Sequence, residues 1–138
     1  MTALFTAKAT AKGGRSGHVA SDDGILDYDL VMPNEKKERG DATNPEQLFA
    51  AGYAACFDSA LQLTARKARL QIETEVTADV SLLKDEADGG YKLGVKLQVK
   101  GTNIEPAELE SLVHQAHKVC PYSKAISEHV DVILEILA

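Results

Sequence analysis

The feature that most limits how this chain can fold is the run Leu48 to Phe57, LFAAGYAACF, ten residues without a charge. The signals ahead of it make it helical: Asn44 precedes Pro45, and Gln47 lies three residues after the Asn. An Asn at this position accepts from free first-turn N–H groups, and a Pro in the first turn gives up a donor that has no partner within the helix. The helix is expected to run to about Lys67. Because the run is apolar on every side, it must be covered all round and not along one stripe. A sheet covers only one side. Ala50, Ala51, Gly52, Ala54 and Ala55 are small enough to let a second such helix approach closely, so a homodimer with these helices at its centre is expected. Cover by later helices of the same chain is the alternative. Ten residues fall far short of the roughly twenty that cross a bilayer.

The rest of the chain reads as strands and two further helices. FTAKATA alternates weakly, GGRSG is a tight turn, HVAS a short strand, DDG a second turn, and ILDYDLV alternates with period two, which together make a small antiparallel meander. From Gln71 to Leu82 the even positions Ile72, Val76, Ala78 and Val80 form one apolar face, and Leu93, Val95, Leu97 and Val99 repeat it after the turn DEADGG. That pattern is a hairpin. A helix is expected from near Pro106 to near Val119, carrying Leu109, Leu112 and Val113, then a short one capped by Cys120 through about Glu128, then a strand from Val130 to Leu137. The order βββ-α-ββ-αα-β predicts an α+β fold of antiparallel strands wrapped around a long buried central helix. With 138 residues, this is one domain spanning 1–138. The polar segment Met32 to Thr43 is expected to be a mobile loop, its charged run Glu35 to Arg39 a solvated face.

Composition removes several classes of function. Apolar residues make up 44% and charged residues 26%, so the chain folds. A net charge of −6 without a Lys/Arg cluster argues against nucleic acid as a partner. The first fourteen residues, with Lys8 and Lys12 inside them, resemble neither a secretory signal nor a transit peptide, so a cytoplasmic protein away from membranes is expected. Two cysteines are too few for a secreted disulfide framework. In a reducing compartment such a pair points to redox chemistry or metal.

Cys56, in the helix among apolar neighbours, reads on its own as a buried thiol, whereas Cys120 at a helix start faces N–H groups that favour thiolate. Their separation of 64 residues neither forbids nor requires pairing. Arg15 lies in GGRSG and Glu46 in the first turn of the central helix, where it neutralises the dipole. His114, His117 and Cys120 form HxxHxxC, which with Cys56 makes a conceivable Cys2His2 zinc site and hence a zinc-binding interaction module. A thiol–disulfide oxidoreductase or redox sensor is a further alternative. His18 and His129 carry no signal.

TNPEQLFAAGYAACF and AHKVCPYS, together with GGR near the start, resemble the signature segments of the organic hydroperoxide resistance family, within the larger OsmC-like group that includes the osmotically inducible peroxidases. The segment ahead of Asn44, Gly-rich in many relatives, is EKKERGDA here. The resemblance implies a thiol peroxidase that reduces organic hydroperoxides, alkyl and lipid, to alcohols without metal, haem or other cofactor. Cys56 would attack, Cys120 would resolve, and dihydrolipoyl groups on lipoylated proteins, or another dithiol, would return the electrons. A free thiol of pKa about 8.5 is only about 3% ionised at neutral pH. Arg15, matched to the family's GGR arginine, would favour the thiolate, and Glu46, matched to the NPEQ glutamate, would fix Arg15 through a bidentate pair. Phe49, Tyr53 and Leu63 suit an alkyl tail of the substrate. Glu46 precedes Cys56 by ten residues, about 15 Å along a helix. Two antiparallel copies crossing near Ala51 would bring the partner's Glu46 beside Cys56, so a site shared between subunits is expected.

Overall fold

A computed structural model describes residues 2–33 and 40–137, and the charged run 35–39 of the expected loop lies outside them. The chain packs as two compact units, Met1–Leu48 and Phe49–Ala138.

In the first unit, β1 (Ala9–Lys12), β2 (His18–Ser21) and β3 (Asp27–Asp29) form the expected meander, with antiparallel pairing from Ala9↔Ser21 to Lys12↔His18 and from His18↔Asp29 to Ala20↔Asp27. GGRSG becomes a 3-10 turn over Gly14–Ser16 between β1 and β2. Gly13 and Gly14 enter it with φ of 85° and 62°, a backbone region that L side chains avoid. Gly17 closes it where a Cβ would lie 1.9 Å from the Lys12 carbonyl oxygen.

The long helix α1 spans Pro45–Lys67, with the bounds the sequence implies. The Gln47 N–H donates to Asn44 Oδ1 at 2.8 Å, so the Asn cap is formed. The reciprocal half of a capping box is replaced, because the Gln47 carboxamide oxygen accepts from the Thr43 hydroxyl. Arg69, in the left-handed region with φ of 61°, turns the chain out of the helix.

In the second unit, β4 (Thr74–Lys84) and β5 (Tyr91–Gly101) pair antiparallel over eleven residues each, and α2 (Pro106–Val119) and α3 (Pro121–Ile126) lead to β6 (Val132–Ile136). The last strand departs from the expected antiparallel pattern, since β6 runs parallel to β5 from Val95↔Val132 to Val99↔Ile136. A two-helix connection is long enough to return the chain in the same direction, which parallel pairing requires. The sheet order is β4-β5-β6.

The core gathers on one stripe of α1, with Tyr53, Phe57, Ala60, Leu61 and Ala65 against Val95, Leu97 and Val99 of β5 and Leu109, Leu112, Val113 and Ala116 of α2. Ala51, Ala55 and Ser59, four residues apart, stay exposed, so α1 is not covered all round within the chain. One of its small residues serves the chain itself: a Cβ on Gly52 would meet the Tyr122 hydroxyl oxygen at 3.0 Å. No helix of the described residues is long and apolar enough to cross a membrane.

Candidate active site

The central helix carries Cys56 and the α2–α3 corner carries Cys120, and the fold brings the two sulfurs to 3.5 Å. Both thiols are free, Cys56 half-buried and Cys120 with no exposed surface. Cys120 is at once the C-cap of α2 and the N-cap of α3. Its N–H donates to the Ala116 carbonyl at 2.8 Å and its own carbonyl accepts from the Lys124 N–H at 2.9 Å, so the backbone beneath the sulfur is held on both sides. Pro121 forces the corner, because the residue before a proline leaves the helical region, as the ψ of 123° at Cys120 shows.

The surroundings of Cys56 within the second unit do not favour thiolate. Burial pushes its pKa above the ordinary 9.0, and the Cys120 thiol adds to the rise, while the backbone N–H of Tyr122 offsets part of it. The depressed thiol pKa expected from the sequence is not what these neighbours produce: burial and Cys120 raise it.

In the first unit, Arg15 Nη1 donates to both oxygens of Glu46, at 2.7 and 3.0 Å. One nitrogen thus serves both oxygens, in place of the expected fork of two parallel bonds. The Arg15 side chain remains 44% exposed and that of Glu46 14%. Arg15 lies in the GGRSG turn and Glu46 in the first turn of α1, so two unrelated local signals meet in one ion pair.

Around the sulfurs stands an aromatic group. Phe49 packs edge-on to Tyr53 at 5.8 Å between ring centroids, and Tyr122 lies 6.0 Å from Phe49 and 5.8 Å from Tyr53. Tyr53 is wholly buried, its oxygen 2.6 Å from Ser123 Oγ, which is 2.9 Å from His117 Nδ1. Leu63 stands apart from this group, lining a shallow cleft of about 350 Å³ with Lys67, Gln115 and Val119. The sequence reading does not single out Tyr122 or Ser123, and it takes His117 only as a candidate zinc ligand, not as a partner of Ser123.

The zinc alternative fails on these placements. His117 turns inward to Ser123, whereas His114 is exposed on the surface, 3.9 Å from Glu110. Among the described residues no three His, Cys, Asp or Glu side chains come together to hold a metal.

Fold and sulfurs together define an α+β protein with a dithiol at a helix corner. The chain belongs to the OsmC-like protein family, whose model matches residues 38–135, and within it to the organic hydroperoxide resistance proteins. It is 64% identical over 135 residues to the organic hydroperoxide resistance protein OhrA of Bacillus subtilis, a match covering 96% of each chain. The crystal structure of OhrB from the same organism superposes with a TM-score of 0.94 at 54% identity, covering 98% of this chain and 100% of that one. An organic hydroperoxide resistance protein from Legionella pneumophila gives a TM-score of 0.88 at 48% identity, covering 99% and 100%. The family expected from the sequence segments is the family found.

Proposed function

We propose that this protein is a cysteine-based peroxidase that reduces organic hydroperoxides, alkyl and lipid, to alcohols. The observation that carries the reading is the pair of free sulfurs 3.5 Å apart, in a chain of the organic hydroperoxide resistance family. In the first step the Cys56 thiolate attacks the terminal peroxide oxygen; the O–O bond breaks, the alkoxide takes a proton and leaves as ROH, and Cys56 becomes a sulfenic acid. In the second the Cys120 sulfur displaces that hydroxyl, releasing water and forming the Cys56–Cys120 disulfide. A dithiol, of which a protein-bound dihydrolipoyl group is the proposed form, then reduces the disulfide by exchange.

Arg15 and Glu46 complete the proposal. The second unit raises the Cys56 pKa, so a permanent cation is needed, and Arg15, held by Glu46, supplies it and stabilises charge on the leaving oxygen. Phe49 and Tyr53 form the apolar side of the substrate site and Leu63 an outer part of it. The exposed stripe of small residues Ala51, Ala55 and Ser59, the first two within the uncharged run Leu48 to Phe57, supports a homodimer packed through α1, with the site shared between subunits. The setting proposed is the cytoplasm.

One experiment tests the chemistry. Reduced protein mixed with one equivalent of an alkyl hydroperoxide should consume it and yield one intramolecular disulfide by mass spectrometry, Cys56→Ser should consume none, and Cys120→Ser should stop at the sulfenic acid. Peroxide consumption by Cys56→Ser at the wild-type rate would overturn the reading. A general thiol–disulfide oxidoreductase would instead exchange with disulfides and leave the hydroperoxide untouched.

A further inference from the structure

Beside the two cysteines runs a chain of polar groups, two buried and one half-buried, whose hydrogen bonds the proposed steps do not use. Ser123 has no exposed surface, and its Oγ lies 2.6 Å from Tyr53 Oη and 2.9 Å from His117 Nδ1. Each member stands three residues, about one helical turn, from a cysteine: Tyr53 before Cys56, His117 before Cys120, Ser123 after Cys120. The His117–Ser123 bond closes the corner between α2 and α3 at which Cys120 sits. The Tyr53–Ser123 bond docks that corner onto α1, which carries Cys56.

We infer that Tyr53, Ser123 and His117 are positioning residues whose hydrogen-bonded chain holds Cys120 against Cys56 and sets how fast the disulfide closes. The inference rests on the peroxidase reading for its physiological oxidant and on geometry for the rest. One arrangement uses every hydroxyl proton of the chain: with the ring proton of His117 on Nε2, the Ser123 O–H can donate to Nδ1 and the Tyr53 O–H to Ser123 Oγ. Burial and the neighbouring His114 hold the His117 pKa below its ordinary 6.5, which keeps the Nδ1 lone pair free to accept at neutral pH. Hydrogen bonds are directional where apolar packing is not, so this chain fixes the rotation and depth of α3 as methyl contacts would not.

Closure is sensitive to that placement. The sulfurs stand 3.5 Å apart, and a disulfide needs about 2.05 Å, so each approach consumes roughly 1.5 Å of adjustment. Displacing a reacting group by an ångström lowers a rate by about a hundredfold. Two fates then compete for the Cys56 sulfenic acid. Attack by the Cys120 thiol gives the disulfide and water, whereas a second hydroperoxide gives sulfinic acid and another molecule of alcohol, and only the first is reversible by a dithiol. A network that speeds closure therefore protects Cys56 from its own substrate.

The test follows both steps in reduced wild-type protein, Ser123→Ala, His117→Ala and His117→Asn, mixed rapidly with tert-butyl hydroperoxide. Dimedone trapping reports the sulfenic acid, and quenched mass spectrometry reports disulfide and sulfinic acid. His117→Asn keeps an acceptor oxygen where Nδ1 stands. Peroxide consumption in the first turnover should stay within about threefold throughout, while closure slows by about 10- to 100-fold in Ser123→Ala and His117→Ala, with sulfinic acid appearing at excess peroxide. His117→Asn should return to within about threefold of wild type. Closure at the wild-type rate in His117→Ala, or no recovery in His117→Asn, overturns the inference, and this pair decides it even where Ser123→Ala fails to fold. If wild-type protein consumes no hydroperoxide, the peroxidase reading falls instead. The same variants are then ranked with diamide, which takes two electrons and two protons from the dithiol as it becomes the hydrazine; equal closure rates there again overturn the inference.

Discussion

The polar chain beside the cysteines makes a prediction about stability that separates a coupled network from three independent contacts. Replacing Tyr53 by Phe removes a phenol whose bond goes to Ser123. Ser123 keeps His117 as its acceptor, so nothing buried is orphaned, and the loss is that of one ordinary hydrogen bond, about 1 kcal/mol. Replacing Ser123 by Ala is different, because the Tyr53 oxygen sits on a residue with no exposed surface and is left without a partner. An orphaned buried group of this kind costs about 1 to 3 kcal/mol. His117 is half-buried and recovers its bond from water. In the double variant the phenol is gone before Ser123 is lost, so the orphan never forms, and the total should fall about 1 to 3 kcal/mol short of the sum of the singles. Urea unfolding of the four reduced proteins, at one protein concentration and with equal m-values, measures the four free energies. Singles that add within about 0.5 kcal/mol would refute the coupling.

Further outcomes follow from other residues. Because His117 is held below 6.5 by burial and by His114, acidification from neutrality protonates the unfolded chain first, so stability should fall as pH drops through that value, and the urea midpoint of His117→Asn should lose this slope. A Cβ at Gly17 would strike the Lys12 carbonyl oxygen, so Gly17→Ala should open the turn that carries Arg15 and lower hydroperoxide consumption by about tenfold or more, with closure by diamide retained. The exposed Ala51 and Ala55 should tolerate Glu in a monomer but not in a packed pair of helices. Sedimentation should therefore show wild type at twice the chain mass and Ala55→Glu at the chain mass.

Much of the fold was legible because its signals are local. Asn44 and Pro45 mark the start of α1, and Pro106 and Pro121 start α2 and α3 where they occur. The direction of β6 was not legible, since period-two alternation of Val132, Leu134 and Ile136 reads the same for either pairing sense. The site was legible only in part. Cys56 and Cys120 are conspicuous, but their contact depends on the Pro121 corner, and Arg15 and Glu46, 31 residues apart, come together through two turns that say nothing of each other. HxxHxxC suggested metal because its spacing stacks His114, His117 and Cys120 along one helix. The partner that His117 takes, Ser123, lies beyond the corner and leaves no periodic trace; a Ser three residues after the Cys, matched by a His three before it, is the signal that was available.

The sharpest demand falls on Arg15. The ordinary thiol value of 9.0 already leaves only about 1% thiolate at pH 7, and burial and Cys120 push Cys56 above it. An attacking sulfur in that state would be slow, so the peroxidase reading requires a cation close to Cys56, and no cation is among the groups that shift its pKa. A guanidinium is a permanent cation, and the pairing of Arg15 with Glu46 restrains it while leaving nearly half of the side chain's surface open. An opposite charge close to a thiol lowers its pKa by about one to three units, hence about 10- to 1000-fold in thiolate at a fixed pH below it. Titration of thiolate absorbance in the far ultraviolet, in a Cys120→Ser background that leaves one sulfur, should therefore give a lower Cys56 pKa with Arg15 present than in Arg15→Ala. Identical titrations in the two proteins would mean that the guanidinium does not act on this sulfur, and the proposed first step would lose its source of anion.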